Sequence, residues 1–146
     1  MSKQELFRVG TGAIIVKDGL FLLGLRGPKA RDQHNKWELL GGLVKFKETP
    51  EEAIVREVGE EAGIEIVPVD IIGTNVRYSD GEDKVEEWVG MTYLCKYLSG
   101  EPKRTDFDRV IDHKWHSLES AFKEDLTPMT GVQLEQYRDW LKRNKP

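Results

Sequence analysis

Glu57, Glu60 and Glu61 are the residues best suited to chemistry, because their spacing brings three carboxylates close together. At about 100° per residue, a helix places positions i, i+3 and i+4 on one arc of its surface. Like charges this close repel one another and weaken an isolated helix. A hard cation such as Mg²⁺ or Mn²⁺ removes the repulsion and prefers oxygen ligands. The spacing therefore predicts a divalent metal site on one face of a helix.

A solvated helix face is the alternative interpretation, since most glutamate-rich helices simply face water. Here the three acids lie on one side of the helix and border its apolar stripe. They also follow a Gly41-Gly42 turn that comes directly after Trp37-Glu38-Leu39-Leu40. This context favours the metal site over the solvated face.

The sequence marks both ends of this acidic helix. Thr49 is a suitable N-cap, Pro50 suits the first helical position, and Glu52 completes a capping box. Gly63 is the expected C-terminal stop. The helical period predicts an apolar stripe that faces the core, formed by Ile54, Val55, Val58 and Ala62.

The longer pattern from Gly42 to Ile64 reads Gly-x5-Glu-x7-Arg-Glu-Val-x-Glu-Glu-x-Gly-Ile. It resembles the signature of the Nudix hydrolase family at every fixed position. The resemblance implies an α/β (α+β) fold, an α/β/α sandwich with a mixed β-sheet. It also implies metal-dependent hydrolysis of a nucleoside diphosphate linked to another group, with Mg²⁺ or Mn²⁺ as cofactor.

Residue roles follow from the resemblance only at matching positions. The metal ligands would be Glu57, Glu60 and Glu61, one of them acting also as the base, together with the backbone carbonyl of Gly41. Glu48 and Arg56 match positions that pair with each other and hold the loop against the helix, which orients the ligands.

The chain departs from the family pattern at two positions. Leu40 stands where a proline commonly precedes the double glycine, and Lys47 stands where a glycine commonly precedes Glu48. Neither position supplies a side chain to the chemistry. Lys47 would add a cation near the phosphates of a substrate.

Further substrate contacts have ordinary structural alternatives. Arg26, at the end of a predicted strand, is a candidate phosphate contact or a plain surface arginine. Trp37 and Trp88 are candidates to stack on a base, or are core aromatics. Asp106 and Asp108 precede the last strand, where related enzymes often supply one more acid; a solvated loop is the alternative.

The substrate is the least determined part of the prediction. Outside the pattern from Gly42 to Ile64, the sequence lacks the markers of the dinucleotide subfamilies. Their absence favours a nucleoside triphosphate, or a modified one, as substrate, cleaved to monophosphate and pyrophosphate. ADP-ribose, a nucleotide sugar or a dinucleoside polyphosphate remains an alternative substrate. A non-catalytic domain that senses a nucleotide is an alternative of another class.

Composition restricts the partners of the chain. Its 146 residues are expected to form one domain, and its 22 basic and 26 acidic residues give a net charge of −4. This charge argues against a broad nucleic-acid or anionic-membrane surface. A single cysteine, Cys95, excludes an internal disulfide and suits the cytoplasm. No signal peptide or membrane-spanning run is visible, and the family resemblance allows a homodimer.

Periodicity and turn signals predict a mixture of strands and helices. Predicted strands cover 9–16, 20–25, 44–46, 66–78, 86–98 and 110–116, with an Asp18-Gly19 hairpin turn and a polar loop over 27–36. Predicted helices, besides the acidic one, cover 118–122 and 131–144. The last helix is expected to face inward through Val132, Leu134, Tyr137 and Leu141.

Overall fold

The structure, a computed structural model, describes residues 2–104 and 109–144. Within these ranges the strands are β1 (Gln4–Lys17), β2 (Leu20–Arg26), β3 (Trp37–Glu38), β4 (Glu65–Asp80), β5 (Lys84–Ser99) and β6 (Val110–His116). The helices are α1 (Pro50–Ala62), α2 (Leu118–Phe122) and α3 (Pro128–Arg143). No helix in the described part of the chain is long and apolar enough to span a bilayer.

The strands form one mixed sheet in the order β3-β2-β1-β5-β4, with β6 also paired to β2. β1 runs parallel to β5 over most of its length, with Val9 beside Val89 and Ile15 beside Cys95. The other pairings are antiparallel. β4 is therefore the outer strand at the β5 end of the sheet.

Helices cover both faces of the sheet, as alternate residues of β1 show. Ala13 and Ile15 belong to a buried cluster with Ile54 and Val58 of α1. Ile14 points the other way, into a cluster that includes Leu134 of α3. Since side chains alternate across a strand, the two clusters lie on opposite faces. The predicted α/β/α sandwich with a mixed sheet is confirmed.

Local turn chemistry explains how the strands and α1 begin and end. Asp18 and Gly19 both have left-handed backbones, with φ of 52° and 78°, as a two-residue hairpin turn of type I′ requires. Thr49 accepts a hydrogen bond from the Glu52 amide, which completes the predicted capping box. Gly63 ends α1 with φ of 70°.

Two predictions about secondary structure were wrong. Residues 44–46 are not a strand: Leu43 makes an isolated bridge to Gly10, and a turn at Phe46-Lys47 interrupts the pairing. The last helix begins three residues earlier than predicted, because Thr127 caps it and Pro128 occupies its first position.

Two predicted core residues are exposed. Val55 of α1 is 41% exposed, and Ala53 takes its place in the core. Val132 of α3 is 45% exposed, while the polar Gln133 is buried and donates a hydrogen bond to Thr92 of β5. A buried polar group can replace an apolar one where its hydrogen bond is satisfied.

Candidate functional site

The Gly41-Gly42 turn is fixed against β1. Thr11 N–H donates to the Gly42 carbonyl and Ala13 N–H to the Leu40 carbonyl, each at 2.8 Å. Gly41 has φ of 153°, and a Cβ there would overlap the Thr11 carbonyl oxygen. Only glycine fits at this position, so the double glycine sets the path of the turn.

Two glutamates of α1 reach this turn. The Gly41 N–H donates to Glu61 Oε1 at 2.9 Å. A Cβ on Gly42 would lie 2.5 Å from the Glu57 carboxylate, so the absent side chain is what lets Glu57 approach. The turn and α1 therefore pack together, with the backbone of the turn facing the carboxylates of α1.

Arg56 ties the remaining acids together. Its Nε and Nη2 donate to the two Glu48 carboxylate oxygens at 2.7 and 2.9 Å, so the two residues pair, as the resemblance implied, and the pair is bidentate. Its Nη1 donates to Glu57 at 2.8 Å and to Glu60 at 3.3 Å, and its Nη2 also reaches the Leu43 carbonyl at 3.0 Å. One guanidinium thus holds the loop against the helix and offsets three negative charges.

The carboxyl groups of the site differ in their pKa values. Burial raises the pKa of Glu61 well above its ordinary value; the Gly41 N–H opposes this shift, and the nearby charges of Glu38 and Glu57 add to it. In contrast, the hydrogen bonds from Arg56 lower the pKa of Glu48 to about 2. The negative charge of Glu48 is therefore balanced by Arg56, whereas the negative charge of Glu61 is poorly compensated.

Glu38 is a residue that sequence reasoning missed. Burial raises its pKa, although Arg26 pairs with it and opposes the shift. Its interaction with Glu61 places a fourth carboxyl group beside the acidic face of α1. The available signal was its position in the sequence Trp37-Glu38-Leu39-Leu40, which leads into the Gly41-Gly42 turn.

These residues suit a divalent metal by their chemistry. All of the candidate donors are oxygens, which Mg²⁺ and Mn²⁺ prefer. Burial raises the pKa of Glu61, so its charged form is disfavoured, and a nearby cation would offset that cost. Within residues 2–104 and 109–144, no three acidic, histidine or cysteine side chains already converge on one point. The carboxylates surround the turn, held partly by Arg56.

Lys47 has a left-handed backbone with φ of 70° and an exposed side chain. This conformation explains why glycine suits the position in the family pattern, since a side chain there is strained. It follows the exposed Phe46 in the turn that precedes Glu48.

Arg26 lies close to the site but is already engaged. Its Nη1 donates to Glu38 Oε2 at 2.7 Å, and its Nε and Nη2 donate to the carbonyl and carboxylate of Asp32 at 2.8 and 3.1 Å. The structure therefore shows Arg26 as the partner of Glu38.

The two candidate tryptophans lie in different surroundings. The Trp37 ring packs edge-on against His116 at 5.7 Å, at the border of the core below α3. The Trp88 ring, on β5, lies under the guanidinium groups of Arg8 and Arg77 at 5.8 and 5.1 Å. Asp106 and Asp108 fall outside the described residues.

Comparison with known proteins agrees with this architecture. A MutT-like protein from Streptomyces ambofaciens is 32% identical over 104 residues, which are 71% of this chain and 60% of that protein. A CTP pyrophosphohydrolase from Escherichia coli K12 is 41% identical over 69 residues, 47% of this chain and 50% of that protein. The matches thus span about half to three fifths of these relatives' own length.

A solved structure and a family model extend the match. The crystal structure of a MutT NUDIX hydrolase from Burkholderia pseudomallei superposes with a TM-score of 0.75 at 35% identity, covering 89% of this chain and 97% of that one. The model of the NUDIX domain matches residues 6–139, which include the turn, α1 and all six strands apart from the first two residues of β1. The chain belongs to the NUDIX hydrolase family.

Proposed function

We propose that this chain is a metal-dependent hydrolase of a nucleoside diphosphate linked to another group, and that its preferred substrate is a nucleoside triphosphate or a modified form of one. The products would be a monophosphate and pyrophosphate. The observation that carries the proposal is the docking of Glu61 and Glu57 on the double-glycine turn, which gathers carboxylates at one surface and leaves the charge of Glu61 poorly compensated.

Glu57, Glu60, Glu61 and the Gly41 carbonyl are the residues that would hold Mg²⁺ or Mn²⁺. When bound, the metal would supply the positive charge that neutralises and orients the diphosphate and activates water for attack. One of the three glutamates would take the proton from that water.

Other residues near α1 position the loop and the substrate. Arg56 and Glu48 fix the loop that carries Lys47, and Lys47 is the proposed cation for the phosphates. Hydrolysis of this kind depends mainly on positioning and electrostatics, which is what the turn and α1 provide. Trp88 remains a proposed stacking surface for the base, and Asp108 a proposed further acid.

Pyrophosphate release from a panel of nucleotides with Mg²⁺ tests the activity. The panel includes the common nucleoside triphosphates, oxidised triphosphates, ADP-ribose and a nucleotide sugar. We expect the triphosphates to be hydrolysed most efficiently. The name of the CTP-hydrolysing relative supports placing CTP in the panel. A protein that binds these nucleotides without hydrolysing any of them would instead be a sensing domain.

Labelled water locates the attacked atom. In ¹⁸O water, attack at the α phosphorus leaves the label in the monophosphate. Label in the pyrophosphate would overturn attack at the α position. Efficient cleavage of ADP-ribose with triphosphates untouched would keep the enzyme class and refute the substrate.

A further inference from the structure

A buried carboxylate, that of Glu86 on β5, lies outside both hydrophobic cores. Glu86 is 4% exposed, while the two core clusters draw on residues 13–16 of β1 and 91–97 of β5. Removing a carboxylate from water costs free energy unless its neighbours compensate the charge. Core packing therefore does not explain why a charge is buried at this position.

Three side chains compensate the charge of Glu86, and one of them is an indole. Lys84 Nζ lies 2.7 Å from Glu86 Oε1. Arg8 Nε and Trp88 Nε1 both donate to Glu86 Oε2, at 3.0 and 3.1 Å. Because an indole has a single polar hydrogen, this hydrogen bond sets the direction in which the pyrrole edge of Trp88 points. The benzene edge of the ring must then point the other way.

The benzene edge of Trp88 lies beside the glycine turn. A Cβ on Gly10 would be 3.7 Å from Trp88 Cε3 and 3.9 Å from Cζ3, so this edge covers Gly10 of β1. The next residue, Thr11, holds the Gly42 carbonyl through its N–H at 2.8 Å and its hydroxyl at 3.0 Å. The ring is therefore one residue of β1 away from the turn on which the acidic helix α1 docks.

Two arginines border the half-buried Trp88 ring. Arg8 and Arg77 stand opposite Trp88 on β1 and β4. Their guanidinium carbons lie 5.8 and 5.1 Å from the ring centroid. Direct carbon contact occurs at about 3.5–4.0 Å, so neither guanidinium is centred on the ring, which keeps surface for a base. In a chain with a net charge of −4, these two positive charges suit an anionic nucleotide.

We propose that Glu86 is a positioning residue for the substrate: its hydrogen bond fixes the Trp88 indole beside the glycine turn, where the base of the nucleotide stacks. The inference rests on the proposed function, because it takes a nucleotide as the ligand and Trp88 as the surface for its base. Glu86 itself does not touch the substrate. By holding the ring in place before the nucleotide arrives, it removes the cost of ordering the indole on binding.

Nucleotide binding without turnover tests this role. AMP, CMP, GMP and UMP are the probes, and inorganic pyrophosphate is the ligand that has no base. Titration calorimetry in Mg²⁺ measures each dissociation constant. Glu86→Met fills the buried position without providing an acceptor. We expect it to weaken monophosphate binding by roughly 10-fold, on the scale of a lost base–aromatic stack, and to leave pyrophosphate binding unchanged.

A double-mutant cycle shows whether Glu86 acts through the indole. Trp88→Phe keeps an aromatic ring but lacks the Nε1 donor, so Glu86→Met should weaken monophosphate binding no further in that background. Circular dichroism shows whether each variant is folded. Glu86→Gln, which keeps one acceptor oxygen, is the second variant if Glu86→Met does not fold, and should give a smaller loss of the same kind.

Asp70→Ala is the matched control. Asp70 of β4 accepts a hydrogen bond from Trp140 Nε1 at 3.2 Å, near the end of α3. The variant therefore removes the same kind of carboxylate–indole pair at a different place on the sheet. It should bind the monophosphates as tightly as the wild type does.

Several results would overturn the proposal. One is a wild type that binds none of the four monophosphates, and another is a folded Glu86 variant that binds them as tightly as the wild type. Equal weakening of pyrophosphate binding, a full further loss in the Trp88→Phe background, or the same loss in Asp70→Ala would also overturn it. Hydrolysis is not measured, so a protein that binds monophosphates but cleaves no triphosphate would refute the proposed function and leave this inference standing.

Discussion

Glu61 of α1 is half-buried and Glu86 of β5 is buried, but only the charge of Glu86 is balanced by neighbouring side chains. Glu86 is 4% exposed and accepts from Arg8 at 3.0 Å, from Trp88 at 3.1 Å and from Lys84 at 2.7 Å. The hydrogen bond from Lys84 and then that from Arg8 lower its pKa to about 2, against the cost of burial.

Glu61 has one backbone donor from the turn and acidic neighbours, and burial raises its pKa. The two regions differ in how completely the charge is neutralised. Strands β1 and β5 stabilise the buried carboxylate of Glu86 with the side chains of Arg8, Lys84 and Trp88. The turn and α1 leave theirs incompletely compensated, which is the condition that a metal site needs and that a purely structural site avoids.

Loss of activity is the largest effect that separates the two regions. We expect Glu61→Gln to reduce kcat/KM by about 1,000-fold, because it removes a metal ligand or base while keeping shape. Glu119→Gln, at an exposed position of α2, is the control and should keep wild-type activity. Steady-state kinetics at limiting Mg²⁺ provide the measurement, and full turnover in the Glu61→Gln variant would remove Glu61 from the site.

Metal should stabilise the turn and α1. A ligand that binds only the folded state stabilises it by about 2.7 kcal/mol at 100 times its dissociation constant. We expect Mg²⁺ or Mn²⁺ to raise the Tm at constant ionic strength, and Glu61→Gln to diminish that shift. A Tm indifferent to both metals in the wild type would contradict a metal site.

Stability against pH distinguishes the two carboxylates by sign. The folded pKa of Glu86 lies at about 2, below the ordinary 4.5, so its carboxylate stabilises the fold at neutral pH, and that stability is lost as pH falls through the folded pKa. The folded pKa of Glu61 is raised, so its cost is absent in acid and appears as pH rises above 4.5 through the raised value.

Two variants in metal-free buffer test these opposite effects on stability. At pH 7 we expect Glu86→Gln to lower the Tm and Glu61→Gln to raise it, with both differences shrinking as the pH is lowered. Thermal unfolding monitored by circular dichroism in EDTA measures both. Shifts of the same sign at pH 7 would show that the two sites do not differ in the way described.

Backbone strain gives the smallest expected difference. Lys47→Gly should stabilise the protein by about 0.5–1 kcal/mol, because glycine adopts the left-handed conformation without strain and offsets the entropy it adds to the unfolded chain. Lys45→Gly is the matched control. It removes the same charge from the same loop, at a residue whose φ is not positive. This variant should therefore not increase the free energy of unfolding. Urea unfolding of the three proteins provides the comparison.

The sequence predicted those parts of the molecule that depend on local chemistry. Thr49 and Gly63 fix the ends of α1 through their own hydrogen bonds and backbone, and Asp18-Gly19 fixes a hairpin, so these elements were predicted correctly. The pairing of Glu48 with Arg56 followed from the resemblance. Each of these features lies within a short stretch of chain.

Features that depend on packing were not predictable in the same way. Val55 was placed in the core by helical period, but the position of α1 on the sheet buries Ala53 instead. The roles of Arg26 and Glu38 depend on each other and on the approach of α1. Such features depend on contacts between residues that are distant along the chain, and a single sequence does not specify those contacts.

The position of Arg56 has a consequence for how the protein is made. Its guanidinium donates to Glu48, Glu57 and Glu60, so the acidic face has a counter-ion that belongs to the protein itself. Many small zinc domains are unfolded without their metal. Here the chain would fold without metal. Occupancy of the proposed metal site would then depend on the free concentration of the cation, so the proposed activity would be regulated reversibly in the folded protein.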